Sequence, residues 1–153
     1  MFSGARSLAA EIYPAFALAE ETVTAGSGGD GAAINGVEID TDAFPTRFNN
    51  VTALVPVEAV LGDSETATVV AKIQTREESD GDWADIAGAD AQVVLTGGDG
   101  GTTERSVLKV GADMAFAERR LRVEVTPTLS AGATDTAAVS AIAVFAGAEA
   151  LPV

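Results

Sequence analysis

The chain contains no cysteine and no histidine. Without cysteine there is neither a disulfide framework nor a thiolate metal site. Without histidine, the commonest general base near neutral pH and the commonest transition-metal ligand are both missing. Ser-His-Asp and Cys-His catalysis are thereby excluded. Aromatic residues are also scarce: six Phe, one Tyr and one Trp in 153 residues. So few cannot line a sugar-binding cleft convincingly, which argues against paired-carboxylate glycoside hydrolysis. The expectation is a protein that is not an enzyme and takes no cofactor.

Basic residues are few as well, 9 Lys and Arg against 23 Asp and Glu, for a formal charge of -14. Such a surface repels phosphate backbones, so nucleic acid is not expected as a partner. No apolar run is long enough to span a bilayer, so no membrane is expected either. Glu11 and Pro14 fall where the apolar core of an export signal would run. The expected compartment is the bacterial cytoplasm, or a particle assembled there.

What is present is a chain long enough for one domain with a real core, rich in Ala, Val and Gly. From about residue 20 onward the apolar period is two. Glu20–Ala25, Val37–Thr41, Asn50–Val60, Thr66–Arg76, Trp83–Ile86, Ala91–Thr96, Thr103–Val110, Arg119–Thr128 and Thr136–Ala146 all suit strands. In Thr66–Arg76, Val69, Ala71 and Ile73 share one face while Lys72, Gln74 and Arg76 share the other. Asn35-Gly36 reads as a turn pair tolerant of positive φ. Thr136–Ala146 is apolar at both parities, which predicts a central or covered strand. Gly111–Glu118 leaves room for one helical turn. Short, regularly spaced strands with Gly/Asp/Ser turns predict an all-β fold, an antiparallel sandwich or jelly roll of about eight strands spanning residues 20–153.

Residues 1–19 read differently. Leu8, Ile12 and Phe16 fall at helical spacing, interrupted by Pro14. The segment reads as a short terminal helix, or as an arm whose Phe2, Leu8, Ile12, Tyr13 and Phe16 dock on a neighbouring subunit.

Candidate sites are few. The loops Gly26–Gly31 and Gly97–Gly101 lack the Lys-Ser/Thr pair and the following helix that a phosphate loop needs, so both read as strand connections. Glu77, Glu78, Asp80, Asp82, Asp85, Asp90 and Asp99 occur with no base between them. They read as a solvated loop or as a loose Ca²⁺ site without EF-hand spacing. Arg119, Arg120 and Arg122 stand out against the acidic background, with Arg105 and Lys109 expected on the paired strand. They fit either cross-strand pairing with Glu104 and Glu124, or an interface stripe that grips a partner's carboxylates.

The order of several short segments resembles a known group. Asn35-Gly36-Val37-Glu38-Ile39-Asp40 leads into a valine-rich strand, followed by Lys72-Ile73-Gln74, a polar loop and Asp82-Trp83-Ala84-Asp85-Ile86. Later come Arg119-Arg120-Leu121-Arg122-Val123 and a small-residue strand ending in Gly147 and Pro152. Over residues 34–153 this order resembles the small virion proteins of tailed bacteriophages, of the capsid decoration (cement) type. The resemblance implies a β-sandwich accessory protein on the outer surface of the capsid, bound to the major capsid protein and trimeric. It brings no catalytic residue with it. A head–tail connector or tail protein, and a bacterial surface module binding carbohydrate or calcium, remain alternative readings.

Overall fold

A computed structural model of the chain describes residues 12–130 and 134–148. The described part holds nine strands: β1 (Ile12–Thr24), β2 (Ile34–Asn35), β3 (Ile39–Asp40), β4 (Phe48–Leu61), β5 (Thr66–Arg76), β6 (Ala84–Thr96), β7 (Thr102–Asp113), β8 (Arg120–Leu129) and β9 (Thr136–Ala148). Its helical content is two short 3-10 turns, Thr41–Ala43 and Met114–Phe116. The second falls inside the segment where one turn was expected. Among the described residues no helix is long and apolar enough to cross a membrane.

The topology is that of one long hairpin rolled up. Folded at the loop after β5, the chain pairs β5 with β6, β4 with β7, β2 and β3 with β8, and β1 with β9, all antiparallel. Rolling that ribbon adds two further antiparallel ladders, β4 with β9 and β5 with β8. The result is a sheet ordered β1-β9-β4-β7 facing a second ordered β2-β8-β5-β6, with β3 also on β8. Of the two architectures expected from sequence, this order is the jelly roll.

The core lies between the sheets and is built from small and β-branched residues. Val51, Ala53, Val55 and Val57 of β4 face Val69, Ala71 and Ile73 of β5 and Leu121, Val123 and Val125 of β8, all buried. Alanines at 53, 71, 141 and 143 let the layers approach with little bulk between them. One end carries the aromatic supply: Phe145, fully buried, meets Phe44 edge-on at 4.7 Å, and Phe44 meets Tyr13 at the same distance. Such pairs contribute about 0.5–1.5 kcal/mol beyond their buried area.

Three expectations change. Residues 12–19 are neither helix nor a separate arm but the first half of β1, hydrogen-bonded to β9 from Ile12↔Ala146 onward. The expected boundary after residue 19 therefore falls inside a strand. A spacing of four is even, so Ile12 and Phe16 share a face of a strand as well as of a helix, and the alternation that would tell the two apart fails just beyond Phe16. β1 is bulged between Phe16 and Leu18 and again between Leu18 and Glu21, so that Ala17 and Leu18 are both buried and the period of two is lost. Pro14 is tolerated because β1 is an edge strand. Phe2 and Leu8 lie outside the described residues.

Second, Arg105 and Lys109 are not beside Arg120 and Arg122: they lie on β7, in the other sheet, paired with β4. Third, Asn35-Gly36 is not a positive-φ turn. Gly36 is where the two sheets are stitched along one open side. Its N–H donates to Val123 O of β8, and the next N–H, of Val37, donates to Ala17 O of β1, both at 2.8 Å. A glycine is required by proximity, since a Cβ there would sit 2.3 Å from Ala17 O and 2.7 Å from Val123 O.

Candidate docking faces

The two outer faces of the sandwich differ in chemistry. On the β2-β8-β5-β6 sheet, alternation turns Lys72, Gln74 and Arg76 of β5 and Arg120, Arg122 and Glu124 of β8 outward. The outward placement of Arg120 and Arg122 is the one read from RLRVEV. Their partners, however, come mostly from elsewhere. Glu38 bridges the guanidinium groups of Arg76 and Arg120. Arg119 grips Asp40 with two nitrogens, Nε to Oδ1 at 3.0 Å and Nη2 to Oδ2 at 2.7 Å, and its Nε also lies 3.2 Å from Asp42. Arg122 donates to Gln74 Oε1 at 2.7 Å, and Gln74 donates in turn to Asp85 Oδ1 at 2.7 Å. Lys72 closes the network on Asp85 at 3.0 Å and Glu124 at 3.2 Å. Glu124 lies 3.7 Å from Arg122 as well, whereas Glu104, on β7, takes a hydrogen bond from Thr102.

The Trp83 ring packs against the guanidinium groups of Arg76 and Arg122, 4.4 and 4.6 Å from its ring centre. Each such contact is worth about 0.5–1 kcal/mol at a partly exposed site. All five bases of this face are therefore engaged within the chain. The acidic run has no common focus: Asp85 belongs to this network, and Glu77, Glu78, Asp80 and Asp82 are exposed. Among the described residues no group of three or more acidic, His or Cys side chains is placed to hold a metal ion.

The network sets a pH dependence. Arg119 holds the Asp40 carboxyl down at about 2, and Arg76 first, then Arg120, hold Glu38 below the usual glutamate range. Depressed carboxylates contribute stability above their unfolded values near about 4, and the contribution is lost as pH falls through the folded value. We therefore expect the melting temperature to fall between pH about 4 and about 2, and Asp40→Asn to flatten that fall. Equal slopes in the two proteins would show that Asp40 is not a source of it.

The outer face of the β1-β9-β4-β7 sheet is different. The registers align Phe16, Ile142, Leu54 and Lys109 in one row across all four strands. Phe16 is 61% exposed, Ile142 48% and Leu54 36%. Flanking rows add Pro14 opposite Val144, and Pro56 opposite Val107, which is 59% exposed. Between Glu20, Pro56, Glu58, Arg105, Val107 and Ser140 the face dips into a concavity of about 530 Å³. One ion pair, Arg105–Glu58 at 2.6 Å, crosses it, and both side chains are solvent-exposed. Exposed pairs of this kind add little to stability.

This is the apolarity that β9 showed at both parities. The strand is central, as expected, with Ala137, Val139, Ala141, Ala143 and Phe145 buried inward; its other face carries exposed Ile142 and half-buried Ala138 and Val144, and no strand among the described residues lies over it. β4 carries the same signal, Leu54 and Pro56 alternating with buried valines. Of the residues singled out in the amino-terminal segment, Phe16 belongs to this face, while Tyr13 packs on Phe44 and Phe48 at its end and Ile12 is partly buried opposite Ala146.

No protein-family model matches the chain, and no curated protein sequence matches it. Solved structures do resemble it. A chain of the infectious bursal disease virus Gx strain matches over 92% of this chain at 14% identity, with a TM-score of 0.51. A chain of the T13 particle of the same virus matches over 90% at 10% identity, also with a TM-score of 0.51. These matches cover 34% and 31% of those viral chains, so this chain spans about a third of their length. At this identity the likeness is one of fold.

Proposed function

We propose that the protein is a structural component of a virion that works by docking on another protein, and specifically that it decorates the capsid of a tailed phage by binding the major capsid protein lattice. The observation that carries this reading is the exposed apolar side chains on the outer face of the β1-β9-β4-β7 sheet, centred on Phe16, Leu54 and Ile142. Contiguous exposed apolar side chains with a polar rim mark protein–protein contact sites. The fold shared with chains of infectious bursal disease virus particles supports the virion setting. The segment order that resembles decoration proteins supports the finer assignment, including the trimeric state and the outer-surface location.

The division of labour between the faces follows. The apolar face docks; the charged face, with its bases neutralised internally and the acidic loops around it, is left toward solvent. The test is to add purified protein to phage heads that lack it, then measure copy number, site and heat resistance. Saturable binding over the whole shell, with heads that resist heating better, supports decoration. Binding confined to one vertex supports the connector reading instead.

A further inference from the structure

The outer face of the β1-β9-β4-β7 sheet has its charges sorted by edge. On β1, Glu20 stands at the rim of the concavity; on β7, Arg105 lines the same concavity and Lys109 ends the row of Phe16, Ile142 and Leu54. Glu20 and Lys109 are exposed, and neither joins an ion pair among the described residues. Asp113, at the far end of β7, is turned to cap the 3-10 turn that follows. With Glu58, the middle of the face carries two acids and two bases, in a chain of 23 acids and 9 bases. Two copies can meet here with no net charge on either side.

The registers make the face complementary to itself. A two-fold axis running along the strands, between β9 and β4, lays β1 of one copy over β7 of the other and β9 over β4. Each row then meets itself reversed. Ile142 falls on Leu54 of the second copy, Phe16 on Lys109 and Pro14 on Gly111. Small Ala138 and Ser140, at the floor of the concavity, receive the larger Glu58 and Pro56, so the second copy fills the dip. Glu20 falls between Arg105 and Lys109. Aligned sheets pack at about 30°, which displaces the outermost strands by about one residue from this opposition. An axis across the strands would instead lay β7 over β7 and set those two bases against themselves, so charge selects the first arrangement. Four strands about 4.8 Å apart and about twelve residues long cover about 800 Å², the share of one partner in a standard interface.

We propose that the free protein pairs with a second copy through this face, about a two-fold axis parallel to the strands. Few anchors on an area of this size set an affinity on the order of micromolar. Well below that concentration the chain is a monomer with the face free. Where the face also docks on a shell, pairing and docking compete, and the inference rests on the docking reading for that consequence alone. A trimer on the shell would use other surfaces, since a face that meets itself about a two-fold axis closes at two copies.

The test is sedimentation equilibrium of the full chain, without heads, from about 1 to about 200 μM, a range that brackets the expected affinity. The wild type, and Val94→Asp on the other sheet, should shift from one chain mass toward two, while Phe16→Asp/Ile142→Asp should stay at one. Lys109→Glu and Glu20→Arg should each weaken pairing about tenfold or more, because like charges then meet at both edges of the interface. Mixed in equal amounts, these two variants should pair with each other as the wild type does, since each new charge meets its opposite. A wild type that stays at one chain mass, pairing that survives in the double variant, or a mixture no better than its components overturns the proposal. Pairing as expected with no binding to heads supports it and overturns the docking reading alone.

Discussion

A chain lacking residues 1–19 should be unfolded at room temperature, whereas one lacking residues 1–11 should keep a cooperative transition. The first truncation removes Ile12 through Phe16 and Leu18 from their ladder with β9, together with buried Ala17 and Leu18. Deleting a buried leucine side chain alone costs about 2–5 kcal/mol, and each ladder hydrogen bond adds about 1 kcal/mol. The sum reaches the whole stability of an ordinary domain, about 5–15 kcal/mol. It also leaves β9, apolar at both parities, as an open edge prone to aggregation. The second truncation keeps Ile12–Thr24 of β1 and its ladder with β9, and should lower only association. Circular dichroism melts of the two proteins decide. A folded protein lacking residues 1–19 would mean that β1 is dispensable to the core.

The second large effect is expected at Gly36. Replacement by alanine places a methyl group against two backbone carbonyls on different sheets, Ala17 O and Val123 O. Neither is the end of a flexible side chain, so relief requires moving β1 or β8. Overpacking of this kind costs about 1–3 kcal/mol and occasionally more. The two hydrogen bonds that stitch the sheets, Gly36 to Val123 and Val37 to Ala17, should be weakened with it, at about 1 kcal/mol each. A loss of about 3 kcal/mol or more in denaturant unfolding is therefore expected, large for a surface loop. A change within about 0.5 kcal/mol, the usual range for surface substitutions, would show that the segment is not a fixed bridge.

How much of this was legible in the sequence varies by element. β5 and β8 were readable because one buried and one solvated face write themselves as strict alternation, from Thr66 to Ile73 and through Arg120–Val125. β1 was misread because its two bulges and Pro14 erase the period. β6 appeared as two pieces because its pairing with β5 jumps from Lys72↔Asp90 to Gln74↔Asp85, with Gly88 at positive φ in the excess.

The docking face is harder still. Phe16, Leu54 and Ile142 become neighbours only through the β1·β9 and β9·β4 registers, which single-strand patterns do not specify. The trace of it was apolarity at both parities in β4 and β9. The arginines show the same limit. Their outward direction follows from local alternation, but Arg120 and Arg119 find Glu38 and Asp40 across long sequence separations, not the acid expected on a neighbouring strand.

The central claim is that the β1-β9-β4-β7 face is the one that docks. The measurement is cosedimentation of wild type, the double variant Phe16→Asp/Ile142→Asp and the single variant Val94→Asp with heads that lack the protein. Val94 is exposed on the opposite sheet and serves as the control. Melting should be nearly unchanged in all three, because the substituted positions are on the surface. Losing two central apolar anchors should weaken binding about 100-fold or more, while Val94→Asp binds as the wild type does. Undiminished binding by the double variant, or loss of binding by Val94→Asp alone, would contradict the assignment of the face.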